Sequence, residues 1–287
     1  MNILITGCNG QLGSEIRQLE GNYPEHTFFN TDIEELDISD QNAVSDYVDS
    51  HKIDGIINCA AYTAVDKAES DKELCTTLNV MAPHFLSTAI EKRGGWMIQI
   101  STDYVFNGHA YQPYKEDDTP SPDSVYGSTK LASEFGVQKF CSNALIIRTA
   151  WLYSSFGHNF VKTMLRLGRE KNELGVVFDQ IGCPTYAADL AKAILDIITK
   201  GIKPGVYHYT NEGVASWYDF AKAIHRIAGV SNCTVRPIHT SEYPTAATRP
   251  AFSVLDKTKI KETYGISIPH WEDSLARCIT LLTSNEK

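Results

Sequence analysis

The chain has 287 residues with an apolar fraction of 43%, a charged fraction of 21% and a formal net charge of −9. That size buries a substantial core, and the balance of residue types is that of a globular protein. The acidic excess argues against nucleic acid and anionic membrane as partners, and no apolar run reaches the ~18 residues of a membrane span.

The seven cysteines, Cys8, Cys59, Cys75, Cys141, Cys183, Cys233 and Cys278, are odd in number and scattered, with no C-x-x-C pair. They read as reduced thiols of a cytoplasmic protein, not as a disulfide framework or a zinc site. The apolar start Met1–Thr6 lacks a basic leader and is broken by Gly7, so it reads as a first strand and not as a signal peptide.

Asn2–Thr6 runs straight into Gly7-Cys-Asn-Gly10-Gln11-Leu12-Gly13, followed by a helical pattern through Glu20. Strand, glycine-rich turn and helix in that order are the context of a dinucleotide-binding loop. The glycines let the backbone approach a pyrophosphate, and the helix N-terminus offers free N–H groups and a positive dipole end. Thr27–Asp32 reads as a second strand ending in an acid, placed to accept from an adenosine ribose and to repel a 2′-phosphate. A plain turn aspartate is the competing reading. Asp37-Ile38 precedes a helix from about Asp40 to Ser50 and places a carboxylate near an adenine amino group.

Asp54–Cys59 is a third strand, and the small residues of Ala60-Ala61-Tyr62-Thr63 at its end leave room for a ligand over the backbone. A long helix is expected from Lys72 to Lys92, with Asn79 bracing a loop through its amide. Gly95–Ser101 is a fourth strand, opening into Ser101-Thr102-Asp103-Tyr104-Val105-Phe106. The proline-bearing segment 107–122 is a loop or flap. Ser124 to about Phe140 is a helix carrying Tyr126 and Lys130. At i and i+4 these side chains share one face, and an ammonium about 4 Å from a phenol favours the phenolate by several kcal/mol before desolvation. The pair is therefore a candidate proton donor with its tuning cation. Ala144–Thr149 is a fifth strand.

Regular strand–helix alternation predicts an α/β fold, a Rossmann-like doubly wound parallel sheet with a smaller mixed α/β substrate lobe. The partition expected is 1–150 for the NAD(P)-binding part, with 174–200 returning to it, and 151–173 and 204–287 for the lobe. In the second half, helices are expected over Asn159–Arg169, Ala187–Lys200, Ala215–Ala228 with Ser216 as cap, and His270–Ser284. Strands are expected at Gly175–Phe178, Gly205–Thr210 and Thr234–Ile238.

Gly7-x-x-Gly10-x-x-Gly13, Ser101–Phe106 and Tyr126-x-x-x-Lys130 together resemble the extended short-chain dehydrogenase/reductases. Ala64–Glu69, Val125–Ala132, Arg148–Trp151, Asn159–Met164 and Arg249-Pro250 resemble the dTDP-4-dehydrorhamnose reductase branch of that family, and the likeness spans the whole chain. The resemblance implies NADPH or NADH as cofactor and reduction of the C4 ketone of a dTDP-sugar. It makes Tyr126 the general acid, Lys130 its partner and a ligand of the nicotinamide ribose, and Thr102 the hydroxyl near the substrate carbonyl. Asp103 and Trp151 match sugar-binding positions. Gly10, Gln11 and Leu12 match the pyrophosphate loop, and Asp37-Ile38 and Ala61-Tyr62-Thr63 match adenosine and ribose contacts.

Arg249 is a candidate for the substrate pyrophosphate, with a surface ion pair as the equal alternative. Asp32 leans towards NADH, while the branch also takes NADPH. Some relatives dimerise through acids and a metal; Glu15 is available for this but Ala188 stands where a second acid aligns, so no metal site is assigned and a monomer or homodimer is expected. The alternatives are a nucleotide-sugar 4-epimerase, a 4-reductase of another sugar, or a non-catalytic nucleotide-binding subunit. A 4,6-dehydratase is disfavoured because Asp103 is followed by Tyr104 and not by a second carboxylate.

Overall fold

Residues 1–284 are described by a computed structural model. Six parallel strands form the central sheet. They are β1 (Asn2–Thr6), β2 (Thr27–Thr31), β3 (Gly55–Asn58), β4 (Trp96–Thr102), β5 (Ala144–Thr149) and a sixth at Gly205–His208. The spatial order is Gly205–His208, β5, β4, β3, β1, β2. The chain leaves β1 for β2 on one side and returns to β3 on the other, so the direction of winding reverses at the β1/β3 boundary. In open α/β sheets a ligand crevice forms beyond the carboxyl ends of the strands at that point.

The continuous apolar runs of these strands follow from burial on both faces. Side chains alternate across the sheet. Ile3, Ile5, Ile57, Ile98, Leu145 and Ile147 pack on the layer containing helix α1 (Gln11–Leu19) and the Ala187–Lys200 helix. Leu4, Ile56, Met97 and Ile146 pack on the layer of the Gln41–Ser50, Ala82–Lys92 and Val125–Phe140 helices. This is the doubly wound arrangement that the alternation predicts.

The second half departs from the expected partition. Ala187–Lys200 does return to the sheet, but Glu173–Val177 pairs with Thr234–Ile238 in a small parallel ribbon of the lobe. Gly205–His208, expected in the lobe, pairs with β5 from Gly205↔Leu145 to His208↔Arg148 and completes the sheet. A short strand carries no mark of which sheet it joins. Here the helix before it runs back across the sheet and delivers it to the open edge of β5. The Thr258–Tyr264 helix, which has no strong sequence signal, also lies on this side, with Ile260 and Tyr264 in the core beneath the sheet. The lobe has its own core, including Tyr153, Phe220, Ile224, Trp271 and Leu275. Ser216 caps the Trp217–Ala228 helix in a reciprocal capping box with Asp219.

The expected Lys72–Lys92 helix is interrupted by a wide turn at Thr77–Met81. Asn79 sits in that turn. Its Oδ1 accepts from the Tyr62 N–H at 2.8 Å and its Nδ2 donates to the Tyr62 carbonyl at 3.2 Å, so it braces the loop after β3 as expected. No helix among the described residues is long and apolar enough to cross a membrane.

Candidate active site

A cleft of about 770 Å³ opens over the carboxyl ends of β1, β3, β4 and β5. One end is formed by Gly7, Gly10, Gln11, Leu12 and Gly13, with Asp32, Asp37 and Ile38 beside them; Ala60, Ala61 and Thr63 form a wall. Thr102, Asp103, Tyr126, Lys130 and Trp151 line the other end. The sequence-predicted residues therefore converge, with two exceptions described below.

The glycine loop is built for close approach. Gly7 has φ +66°, and a Cβ there would lie 2.8 Å from the Ala60 backbone. A Cβ on Gly13 would lie 2.6 Å from the Cys8 Cα. Helix α1 starts after Gly10 with no side-chain cap, leaving the N–H groups of its first turn to a ligand. These features fit the pyrophosphate of a dinucleotide. Asp32 lines the cleft, but its carboxylate also accepts from the Asn9 N–H at 3.1 Å and the Ile33 N–H at 2.9 Å. Asp37 is exposed; the hydroxyl and N–H of Ser39 both donate to its Oδ1 and hold its carboxyl below the usual range.

Tyr126 enters from the first turn of its helix. Ser124 caps that helix through the Gly127 N–H at 3.1 Å, and Glu69 accepts from the Val125 N–H at 2.8 Å. A Cβ at Gly127 would collide with the Tyr104 carbonyl oxygen, so this glycine lets the helix lie against the loop after β4. The rings of Tyr104 and Tyr126 meet edge to face at 5.6 Å. Thr102 accepts from the Tyr104 N–H at 3.2 Å and donates to Asp103 Oδ1 at 3.0 Å. Asp103 is buried, and burial pushes its carboxyl up to about 6.

The electrostatics of the Tyr126–Lys130 pair differ from the expectation. The Lys130 ammonium donates to the Ile100 carbonyl at 2.6 Å. Burial is the largest influence on both groups. It pushes the Tyr126 phenol above its ordinary range, against a hydrogen bond with Thr102, and pulls the Lys130 ammonium down to about 8, against the charge of Glu134. Desolvation, which a Coulomb estimate on helical spacing omits, decides both shifts here.

Trp151 adopts φ +49° and stacks on Trp217 with centroids 3.6 Å apart and planes within 8°. The indole is fixed as one wall of the cleft. Tyr62 and Arg249 do not line it. Tyr62 packs its ring with Ala68, Cys75 and Tyr126 and donates its hydroxyl to Asp71 at 3.2 Å. Its backbone is held by Asn79, which turns the side chain away from the cleft. Arg249 is engaged by Asp66 and by the Tyr104 hydroxyl, the latter at 2.8 Å. This is the ion-pair reading of Arg249, although its partner Tyr104 does line the cleft. Glu15 is buried, not displayed, and accepts from the Ser154 hydroxyl at 2.6 Å.

Several lining residues have no sequence signal of their own, among them Val65, Leu78, Gly157 and His158. Gly157 and His158 arrive because Asn159, which caps the Phe160–Glu170 helix, donates to Gln11 Oε1 at 3.0 Å and clips that loop onto the glycine loop. Tyr104 was visible in its motif, and its place in the cleft follows from the turn that Thr102 caps.

Comparison with known proteins is consistent along the whole chain. The family model of the RmlD substrate binding domain matches residues 1–284. The chain is 40% identical over 283 residues to a dTDP-4-dehydrorhamnose reductase of Aggregatibacter actinomycetemcomitans, with 95% of this chain and 96% of that protein aligned. Among solved structures, a dTDP-4-dehydrorhamnose reductase from Clostridium acetobutylicum superposes with a TM-score of 0.94 at 44% identity, covering 99% of this chain and 100% of the other. The enzyme of the same name from Bacillus anthracis, solved in complex with NADP, gives a TM-score of 0.94 at 38% identity, covering 98% and 99%. By this match in sequence and fold, the chain belongs to the dTDP-4-dehydrorhamnose reductase family.

Proposed function

We propose that this chain reduces the C4 ketone of dTDP-4-dehydro-L-rhamnose to give dTDP-L-rhamnose, using NADPH or NADH. The observation that carries this is the convergence of Tyr126, Lys130 and Thr102 at one end of a cleft whose other end is the glycine loop. The nicotinamide supplies the hydride when bound. Gly10, Gln11 and Leu12 would hold the pyrophosphate, with Ala60, Ala61 and Thr63 along the wall.

Tyr126 is the proton donor to the oxygen that becomes an alcohol. A phenol held above its ordinary range by burial is fully protonated at neutral pH, which is the form a donor needs. Thr102 places a hydroxyl beside it, whose one proton turns from Asp103 to the developing oxyanion. Lys130, with one donor spent on Ile100, has N–H groups left for a ribose and for the phenolate that Tyr126 becomes after transfer. Asp103 and the Trp151 indole form the sugar wall. Tyr104 follows Asp103 and its hydroxyl is taken up by Arg249, so no second carboxylate stands ready for elimination chemistry.

The substrate is a soluble nucleotide sugar and the reaction is placed in the cytoplasm. The seven cysteines, none of them in a disulfide, support a reducing compartment. The test is NADPH consumption on adding the keto-sugar, with dTDP-rhamnose identified by mass, in wild type and Tyr126→Phe. The variant is expected to lose roughly 10²- to 10⁴-fold in kcat while binding NADPH as before. NADPH that binds and is not consumed by the wild type would favour the non-catalytic reading.

A further inference from the structure

Behind the cleft lies a buried ionic cluster that the proposed chemistry does not use. Glu134 is one helical turn beyond Lys130 and is 1% exposed. Its Oε1 accepts from the Ser101 hydroxyl at 2.5 Å and from Arg148 Nε at 2.9 Å, and its Oε2 accepts from Arg148 Nη2 at 2.7 Å. Arg148 is itself buried, faces the Phe106 ring at 5.1 Å, and reaches His208 Nε2 at 3.5 Å. The cluster thus ties three elements together: β4 at the residue before Thr102, β5, and the helix bearing Tyr126 and Lys130.

A buried ion pair is a poor source of stability, because desolvating two charges offsets their attraction and a well-packed apolar pair does as well or better. Its position suggests a different role. Besides Glu134, the groups acting on the Lys130 charge are Cys75 from the Lys72–Thr76 helix and Cys59 at the end of β3, whose thiol burial pushes up to about 12. Glu134 places its carboxylate one turn away, paired on its far side with Arg148 at 2.7 Å. Lys130 makes no direct ion pair with it, so the ammonium stays free to donate to Ile100 and into the cleft.

We propose that Glu134 is a positioning residue for the reductase: clamped by Arg148 and Ser101, its carboxylate keeps Lys130 an ammonium and holds the Lys130 helix in register with Thr102. This rests on the reductase reading, so wild-type turnover is measured first and reports on that reading separately. The experiment follows kcat, KM and NADPH affinity against pH, from about 6.5 to 10, for wild type, Glu134→Gln, Glu134→Asp, and the charge-neutral double variant Glu134→Gln/Arg148→Met.

In both neutral variants the alkaline limb of kcat and of NADPH affinity is expected to move down by about one pH unit. That is roughly a tenfold loss above the limb, with KM for the sugar within about twofold. Glu134→Asp, which keeps the charge, retains the wild-type limb. A folded double variant with the wild-type limb would overturn the proposal. So would failure of both neutral variants to fold, since the cluster would then be serving stability alone.

Discussion

Arg249 and Asp66 join the two halves of the chain beside the cleft, with Nη2 and Oδ2 2.5 Å apart. Asp66 also accepts from the Ala247 N–H at 3.1 Å, so one carboxylate holds both the side chain and the backbone of the segment before Arg249-Pro250. Arg249 passes the restraint to Tyr104, whose ring lies against Tyr126. Asp66→Ala is therefore expected to loosen the 241–249 segment. The pair is partly exposed, so the loss is about 1 kcal/mol. It should appear as faster proteolysis in that segment and a severalfold higher KM for the nucleotide sugar, with NADPH affinity unchanged. Equal effects on both ligands would mean that the bridge supports the whole cleft.

Thr102 uses its hydroxyl as cap for the Tyr104 N–H, as donor to Asp103 and as hydrogen-bond partner of Tyr126. Thr102→Val removes all of these. A fall in kcat of roughly 10- to 100-fold is expected, and Thr102→Ser should recover most of it. Steady-state kinetics at saturating NADPH and sugar check this. A Val variant with near wild-type kcat would assign Thr102 to the turn alone.

Gly13 is enclosed by the Cys8 backbone. Gly13→Ala must displace the loop and is expected to weaken NADPH binding by at least tenfold while leaving the lobe intact. Fluorescence titration with NADPH and a melting curve separate the two effects.

Asp103 and His208 oppose each other in acid. Asp103 keeps its proton in the folded chain up to about pH 6, against an ordinary value of 3.8. Its contribution to stability is therefore present below about pH 4 and lost as the pH rises through 6. His208 is pulled down to about 3 by burial and by Arg148, so acidification through the ordinary imidazole range favours the unfolded chain. Between about pH 4 and 6 the two slopes have opposite sign and largely cancel. Asp103→Asn removes one of them. Relative to wild type, its stability should rise by up to about 3 kcal/mol on going from about pH 4 to 7, and its acid unfolding should be steeper. Urea denaturation at several pH values tests this, and a pH-independent difference would contradict it.

Much of the site is legible in the sequence because each component sits where a strand ends. Asn2–Thr6 followed by three spaced glycines, Ala60-Ala61 after β3, and Thr102 after β4 all mark the same sheet edge. Parallel winding brings those ends together without any long-range information. Tyr62 and Arg249 stay out of the cleft lining for a different reason. Asn79 holds the Tyr62 backbone and Asp66 captures the Arg249 side chain, and neither partner adjoins its residue in the sequence. Glu134 repeats the i, i+4 spacing from Lys130 but carries no further mark in the sequence. Spacing alone gives no sign that Arg148 waits across the sheet. The burial that dominates the Tyr126 and Lys130 protonation is likewise a property of the packed layers.

The Gly205–His208 strand bears on how this chain could be divided. Its neighbour β5 would otherwise be the edge of the sheet, with Leu145, Ile146 and Ile147 next to open backbone donors and acceptors. A fragment ending near residue 150 would expose that edge and invite strand pairing between copies. The cofactor half is thus not a separable module. Split reporters should be cut in lobe loops beyond the sixth strand with both pieces retained, since Trp217 backs the Trp151 wall and Ile260 and Tyr264 pack beneath the sheet.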